Sequence, residues 1–333
     1  MESKNKQLNV GVLLPHTQLY GGVKRFLEIG NAMKKMGHRY TIFTQEGLAP
    51  KWFSFNGDVR TFDDLKSEYL DLLMFCQPEY LDLTIKSNAK RKVFYLINPK
   101  SKIRNIVKNK GIEIFSNSTG IRNTILKKYN ATSFPAYGGI NLSTFLYQEP
   151  VEKDVNSPFV IMAYGRISKY KKGTREVVKA CEKLYKKGAN IKLLLFDSPT
   201  DKKAKKAIKN FSTKVPYDFV LNHPVNDNQT LYHRADVFVS AELSGGWSNT
   251  SAEAMACGTP LIATNVGTLD FLTHLETGFL LKNGKARQIE KALLFLMSDF
   301  KLRKQLSLNG RDRINRFGWD ALTTRIIEHI DES

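Results

Sequence analysis

The stretch SAELSGGWSNTSAEAMACGTPLIATNVG, residues 240–267, decides how this chain is read. An apolar strand over 237–239 runs into a loop carrying Gly245, Gly246 and Trp247. A short helix follows and ends at Gly258, and Pro260 opens a second apolar strand. Strand, glycine loop and helix start gather unpaired backbone N–H groups and the positive end of a helix dipole at one point, which suits a phosphate. Glu253 sits one turn into the helix, where its carboxylate can reach past phosphates to sugar hydroxyls. The segment reads as a nucleotide-sugar pocket. Thr250-Ser251-Ala252-Glu253 also fits a capping box, in which Glu returns a hydrogen bond to the helix start. That account covers Thr250 and Glu253 but not the Gly-Gly-Trp loop or the small residues Ala254, Ala256 and Cys257. The two roles are compatible.

Outward from this segment, short apolar runs alternate with amphipathic helical patterns, which predicts α/β layers with parallel sheets. Strands are expected at 10–14, 40–43, 72–75, 93–97 and 112–115, with a helix after the loop 16–22 that ends at Gly37. A polar, proline-bounded stretch within 146–158 is the linker candidate. A second series follows at 159–164, 192–196, 219–221, 237–239 and 261–263, and helical patterns run from 286 to 330. Two similar halves imply a cleft between them.

The 333 residues are enough for two ordinary domains, and 42% hydrophobic with 25% charged content is that of a soluble enzyme. Three widely spaced cysteines, Cys76, Cys181 and Cys257, form no CxxC or Cys/His cluster and read as small core residues in a reducing compartment. The first 15 residues hold no signal-type apolar stretch, and no run approaches the ~20 apolar residues of a membrane helix. A cytoplasmic protein is the expectation. The net charge of +19 is concentrated: residues 86–110 hold nine Lys or Arg and no Asp or Glu, and a second basic stretch covers 202–214. A lysine-rich solubility surface, an anionic membrane and an acidic substrate all fit this charge. Nucleic acid does not fit, because the nearby aromatics belong to apolar strand patterns such as Val93-Phe94-Tyr95-Leu96 rather than to exposed stacking platforms.

Two further loops carry the right chemistry. LPHTQLYGGVKR places Gly21 and Gly22 directly before a helix, where backbone can approach a pyrophosphate; it is not GxGxxG, which removes the main support for a nicotinamide cofactor. After the strand 159–164, YGRISKYKKG supplies Arg166 and Lys172 at the edge of a parallel sheet, the usual ligand crevice of such folds. Arg offers a bidentate fork and Lys a point charge to a diphosphate. A solvated basic loop is the plainer account, and Lys169 and Lys171 show that not every charge there meets a phosphate.

YGGVKRFLEIGNAMKKMGH, GRISKYKKG, SNTSAEAMACGTPLIATNVG and GWDALTTRIIEHI stand in the order seen in family 4 of the retaining glycosyltransferases, which the chain resembles over nearly its whole length. The resemblance implies the GT-B architecture of two Rossmann-like domains: 1–150 for the acceptor, 151–315 for the nucleotide sugar, and a last helix in 316–333 returning to the first. It implies Gly22, Arg166 and Lys172 at the diphosphate, with Lys171 a substitute for Lys172. It also implies helix-start contacts from Asn249 and Thr250, and Glu253 on ribose hydroxyls. Two departures stand out. The first glutamate of the family's pair falls at Gly245, eight positions before Glu253, with Glu242 the nearest replacement. The family's histidine after a middle strand is absent at Leu96-Ile97-Asn98-Pro99, with His16 the nearest alternative.

These features predict a metal-independent transferase that moves a sugar from a nucleoside-diphosphate donor to a glycan, lipid-linked or cell-envelope acceptor, with no bound cofactor. No Asp-x-Asp pair is present to hold a cation, while Arg166, Lys172 and a helix dipole can stabilise the leaving group. The basic run 86–110 would face an anionic membrane or polyanionic acceptor. A sugar-nucleotide epimerase and an inactive glycosyltransferase-like subunit are the competing readings.

Overall fold

Runs that are apolar at consecutive positions form the central strands of two parallel sheets, because helices cover both faces. The computed structural model describes residues 6–99, 101–154 and 156–331. They divide into two compact units, Met1–Gly139 with Phe317–Ser333, and Ile140–Arg316.

In the first unit the chain runs β1 (Asn9–Leu13), α1 (Gly21–Lys35), β2 (Arg39–Thr44), β3 (Asp58–Thr61), β4 (Leu70–Phe75), α2 (Leu81–Lys86), β5 (Ala89–Leu96), α3 (Arg104–Lys108), β6 (Glu113–Ser116), α4 (Thr119–Tyr129) and β7 (Phe134–Pro135). The sheet order is β3-β2-β1-β4-β5-β6-β7, all parallel. Its two faces follow the two-residue period of a strand. Val10, Val12, Leu72, Met74, Val93 and Tyr95 pack on one side, and Leu13, Leu73, Phe75, Phe94 and Leu96 on the other.

The second unit runs β8 (Phe159–Tyr164), α5 (Thr174–Lys186), β9 (Ile191–Asp197), α6 (Lys202–Lys209), β10 (Tyr217–Leu221), α7 (Gln229–Tyr232), β11 (Val237–Ser240), α8 (Asn249–Ala256), β12 (Leu261–Ala263), β13 (Phe279–Leu280), α9 (Ala286–Met297) and α10 (Phe300–Asn315). Its order is β10-β9-β8-β11-β12-β13, again parallel. The order reverses between β8 and β11, so the loops leaving those two strands open a crevice at the sheet's carboxyl edge.

The last helix, α11 (Trp319–Asp331), belongs to the first unit. Trp319, Leu322, Ile326 and Ile330 join the cluster built on α1 and the sheet. The buried Arg25 of α1 lies 5.4 Å over the Trp319 ring and donates to Tyr95 Oη at 3.1 Å. Gly139, at φ +119°, leaves room that a Cβ would take from the Trp319 ring. Arg91 donates to the carbonyls of His329 and Ile330 at 2.9 and 3.1 Å, satisfying orphan groups at the end of α11.

The polar stretch expected to link the halves is fastened to the second unit. Phe145 packs edge-on against Tyr232 at 6.3 Å, and Gln148 N donates to Cys257 O at 3.1 Å. Ion pairs Lys304–Glu149 and Lys153–Asp236 hold it further, at 2.7 and 2.6 Å. The units therefore part at Gly139 rather than near residue 150. All three cysteines are buried and free, and burial pushes the thiols of Cys76 and Cys181 up to about 12, so they are unreactive core residues.

Replacing Trp319 with Ala should destabilise the first unit by about 3–5 kcal/mol, the usual cost of deleting a large buried aromatic. Urea unfolding followed by circular dichroism should show an earlier transition; an unmoved midpoint would mean that α11 does not hold this unit.

Candidate active site

At the β8/β11 crevice a single 3-10 turn, Tyr170–Lys172, brings the basic loop onto the loop after β11. Gly173 follows at φ +74°, and a Cβ there would stand inside the carbonyl of Ala241. Leu243 N donates to Lys171 O at 2.8 Å. This close approach turns Lys172, not Lys171, toward the second loop. Lys172 Nζ donates to both Glu242 oxygens at 2.9 Å, while the Lys171 side chain is exposed. The Glu242 residue is 5% exposed, and burial raises its carboxyl above the usual range although Lys172 pulls the other way. The ammonium has three N–H groups, so one remains for an anion.

Gly245, where the resemblance places a glutamate, has the Glu242 carboxylate at its shoulder: a Cβ at Gly245 would lie 3.1 Å from Oε2. Gly246 and Trp247 lie against Gly267, whose carbonyl accepts from Ser248 N at 2.9 Å. Trp247 is 8% exposed and packs on Phe271 at 4.9 Å. Its ring anchors the loop from beneath rather than offering a face to a ligand.

The helix start differs from the capping-box expectation. The residue preceding α8 is Ser248, whose hydroxyl donates to Ser251 Oγ at 2.8 Å rather than accepting from a backbone N–H. Asn249 and Thr250 are the first two helical residues, both half-buried, and Glu253 lies on the second turn. A capping box needs Glu at the third helical position, so Thr250 and Glu253 do not form one. The Glu253 carboxylate, 7% exposed, instead accepts from Tyr232 Oη at 2.8 Å. Burial, with Glu253 beside it, holds the Tyr232 phenol far above its ordinary value, so the phenol keeps its proton to donate.

Arg166 is fixed by residues that sequence reasoning did not select. Its Nε and Nη2 reach Asp197 Oδ1 at 3.0 and 2.9 Å, and Nη2 also donates to Tyr164 Oη. These contacts leave the Nη1 hydrogens for a ligand. Asp197 is 3% exposed, and burial raises its carboxyl, partly offset by Arg166. Rings continue the wall: Tyr164 to Phe196 at 5.5 Å, then Phe196 to Tyr232 at 6.0 Å, and Tyr232 ends on Glu253. Arg166 and Glu253 thus stand at two ends of one buried row. The signal for Asp197 was an acid closing the apolar run Leu193-Leu194-Leu195-Phe196 at the sheet's carboxyl edge; Tyr232 gave none.

In the first unit, Gly22 is the second residue of α1, whose first turn has no acidic side chain and no side-chain cap. A Cβ at Gly22 would lie 2.7 Å from Ile97 Cδ1, so the glycine also admits that side chain. His16 accepts from Gln18 N at 3.2 Å and lies 5.1 Å from the Tyr20 ring, a local turn contact. Several members of the basic run 86–110 are engaged within the first unit. Arg91 pairs with Glu113 at 2.6 Å, Lys92 donates to Ile85 O at 2.9 Å, and the buried end of β5 separates them from Lys102 and Arg104. Lys100 lies outside the described residues. Among the described residues no group of three or more His, Cys, Asp or Glu stands placed to hold a metal, and no helix is long and apolar enough to cross a membrane.

The model of the family described as Glycosyl transferases group 1 matches residues 147–313. The capsular polysaccharide biosynthesis glycosyltransferase CapM of Staphylococcus aureus is 32% identical over 218 residues, covering 62% of this chain and 57% of that protein. An uncharacterized glycosyltransferase of Methanocaldococcus jannaschii is 28% identical over 136 residues, 40% of this chain and 39% of its own length. The chain therefore matches little more than half, or less, of these curated relatives. Among solved structures, a sucrose-phosphate synthase from Thermosynechococcus elongatus superposes with TM-score 0.78 at 18% identity, covering 98% of this chain and 99% of that one. Anabaena HepE, solved with UDP-glucose, superposes with TM-score 0.79 at 14% identity, covering 98% and 100%. These likenesses establish the GT-B class of fold with its two Rossmann-like sheets.

Replacing Gly173 with Ala should destabilise the second unit by at least about 1–2 kcal/mol, from the left-handed backbone and the overlap with Ala241. An unchanged melting temperature would mean that the turn does not lock onto that loop.

Proposed function

This chain belongs to the glycosyl transferases group 1, and from that premise we propose that it transfers a sugar from a nucleoside-diphosphate donor to a hydroxyl of a glycan, lipid-linked or envelope-polymer acceptor. The observation that carries this reading is the gathering of Arg166, Lys172 and the start of α8 at the β8/β11 crevice, with Glu253 at the far end of the same wall. Two cations and a helix start suit a diphosphate, and a buried carboxylate oriented by Tyr232 suits vicinal sugar hydroxyls. The order of motifs shared with family 4 supports retention at the anomeric carbon. Phosphate stabilisation by Arg166 and Lys172 makes a metal ion unnecessary in this mechanism. The UDP-glucose complex of Anabaena HepE makes UDP-sugars the first donors to try.

In the reaction, negative charge grows on the diphosphate as the anomeric C–O bond breaks. Arg166 Nη1 and the remaining Lys172 N–H meet that charge without reorganising, because Asp197, Tyr164 and Glu242 already hold both cations. One well-placed donor of this kind contributes on the order of 3 kcal/mol. Glu242 acts through Lys172, as a positioning residue, and it lies where a side chain at Gly245 would begin.

Arg166→Ala and Lys172→Ala should each lower turnover at least tenfold, read as release of nucleoside diphosphate, with the fold intact by circular dichroism. Undiminished turnover in either variant would refute that residue's part in stabilising the leaving group, whereas no donor transfer or hydrolysis by the purified chain would favour the inactive-subunit reading. The pH dependence carries a separate sign. Glu242 has its carboxyl raised, so it protonates, and loosens Lys172, at a pH above the usual carboxylate range. Stability runs oppositely, since a carboxyl with a raised folded pKa favours the folded state only while protonated. The acid limb of turnover should therefore lie above that range and disappear in Glu242→Gln; an identical limb in both proteins would show that another group titrates.

A further inference from the structure

We propose that the helical layer formed by α5, α6 and α9 docks the second unit onto an anionic phospholipid bilayer. The chain passes β8 to β9 to β10 in one direction, so right-handed crossovers put α5 and α6 on the same side of the sheet. There α9 lies along α5: Glu176 accepts from Ala286 N at 3.0 Å, and Lys187 pairs with Glu290 at 2.6 Å.

This layer is basic beyond its own needs. Lys202, Lys203, Lys205, Lys206 and Lys209 of α6 are all exposed, and none forms an ion pair among the described residues. A groove between α5 and the start of α9 adds Lys183, Lys186, Lys285 and Arg287. The acids of the layer are already engaged. Glu176 holds Lys179 at 3.0 Å, Glu290 holds Lys187, and Glu182 accepts from Thr213 Oγ1 at 2.9 Å.

Large apolar side chains are also exposed on two helices of this layer. Leu294 and Phe295 of α9 are 45% and 44% exposed, and Tyr185 of α5 is 41% exposed. Cationic helices carrying exposed Leu, Phe and Tyr suit the headgroup boundary of a membrane. The α6 cations are all lysines, point charges without the planar fork of arginine, and α6 itself carries no aromatic side chain, which disfavours nucleic acid. The groove also shares its rim with the crevice: Tyr170 begins the turn that ends in Lys172, and Leu243 follows Glu242. Docking would bring that edge of the sheet to the bilayer, where lipid-linked hydroxyls stand. Only this last consequence rests on the proposed transfer; the docking does not.

The test is flotation of the full chain with vesicles of phosphatidylcholine alone or with about one-third phosphatidylglycerol. Binding should require the anionic lipid and vanish at roughly 0.5 M salt. Replacing Lys202, Lys203, Lys205 and Lys206 together with Ser should weaken partitioning by about a hundredfold or more, since each lysine near an anionic surface contributes about one tenfold step or slightly less. Melting temperature and donor hydrolysis should stay unchanged, which separates lost docking from a lost fold or lost transfer. Lys102→Ser with Arg104→Ser should leave partitioning unaltered. Equal flotation on both vesicle types, undiminished binding of the four-lysine variant, or binding to a short DNA duplex without binding to vesicles would overturn the proposal.

Discussion

The geometry of the crevice depends on one close approach, in which the Tyr170–Lys172 turn lies on the backbone of Ala241. No side chain fits between them at residue 173, and the left-handed φ there turns the chain so that Lys172 meets Glu242. The resulting ion pair is a poor stabiliser. Withdrawing a carboxylate from water costs several kcal/mol, and attraction to one lysine returns only part of that. Burial wins at Glu242, as its raised carboxyl shows. What the pair supplies is a fixed cation beside the point where a phosphate would sit.

The second cation is held by a different device. Arg166 leans on Asp197 and Tyr164, and Tyr164 starts a row of rings that reaches Glu253 through Phe196 and Tyr232. Because those rings are part of the core under β8 and β9, the spacing of the two ends follows from sheet packing rather than from loop conformation. Interiors at crystal-like density leave little freedom to such a row. Gly245 fits the same arrangement, since a Cβ there would crowd the Glu242 carboxylate.

Much of this was legible in the residues, for a physical reason. Strands buried on both faces must be continuously apolar, so 10–14, 72–75, 159–164, 237–239 and 261–263 declare themselves, and their order gives the parallel sheets. Arg166, Lys172 and Glu253 were legible because they follow such strands at the carboxyl edge. β3, with the half-exposed sequence Asp58-Val59-Arg60-Thr61, was not, because an edge strand need not be apolar. The start of α8 was misjudged because Ser248, Thr250 and Ser251 all resemble helix caps, and packing against Gly267 chose among them. The packing of Trp247 on Phe271 was not legible either, because the two rings meet across 24 residues of sequence. The 146–158 stretch looked like a free linker because its anchoring uses backbone groups and exposed ion pairs, which leave no apolar pattern.

The central claim is that the crevice of the second unit recognises a diphosphate attached to a nucleoside. Calorimetric titration of the full chain with UDP, GDP and dTDP, each beside its bare nucleoside, tests it most directly. The account predicts that at least one diphosphate binds about a hundredfold or more tighter than its nucleoside, because two charge-assisted contacts at about 1.5–3 kcal/mol each are lost without the phosphates. Nucleosides binding as tightly as their diphosphates, or no binding by any of the three, would contradict it.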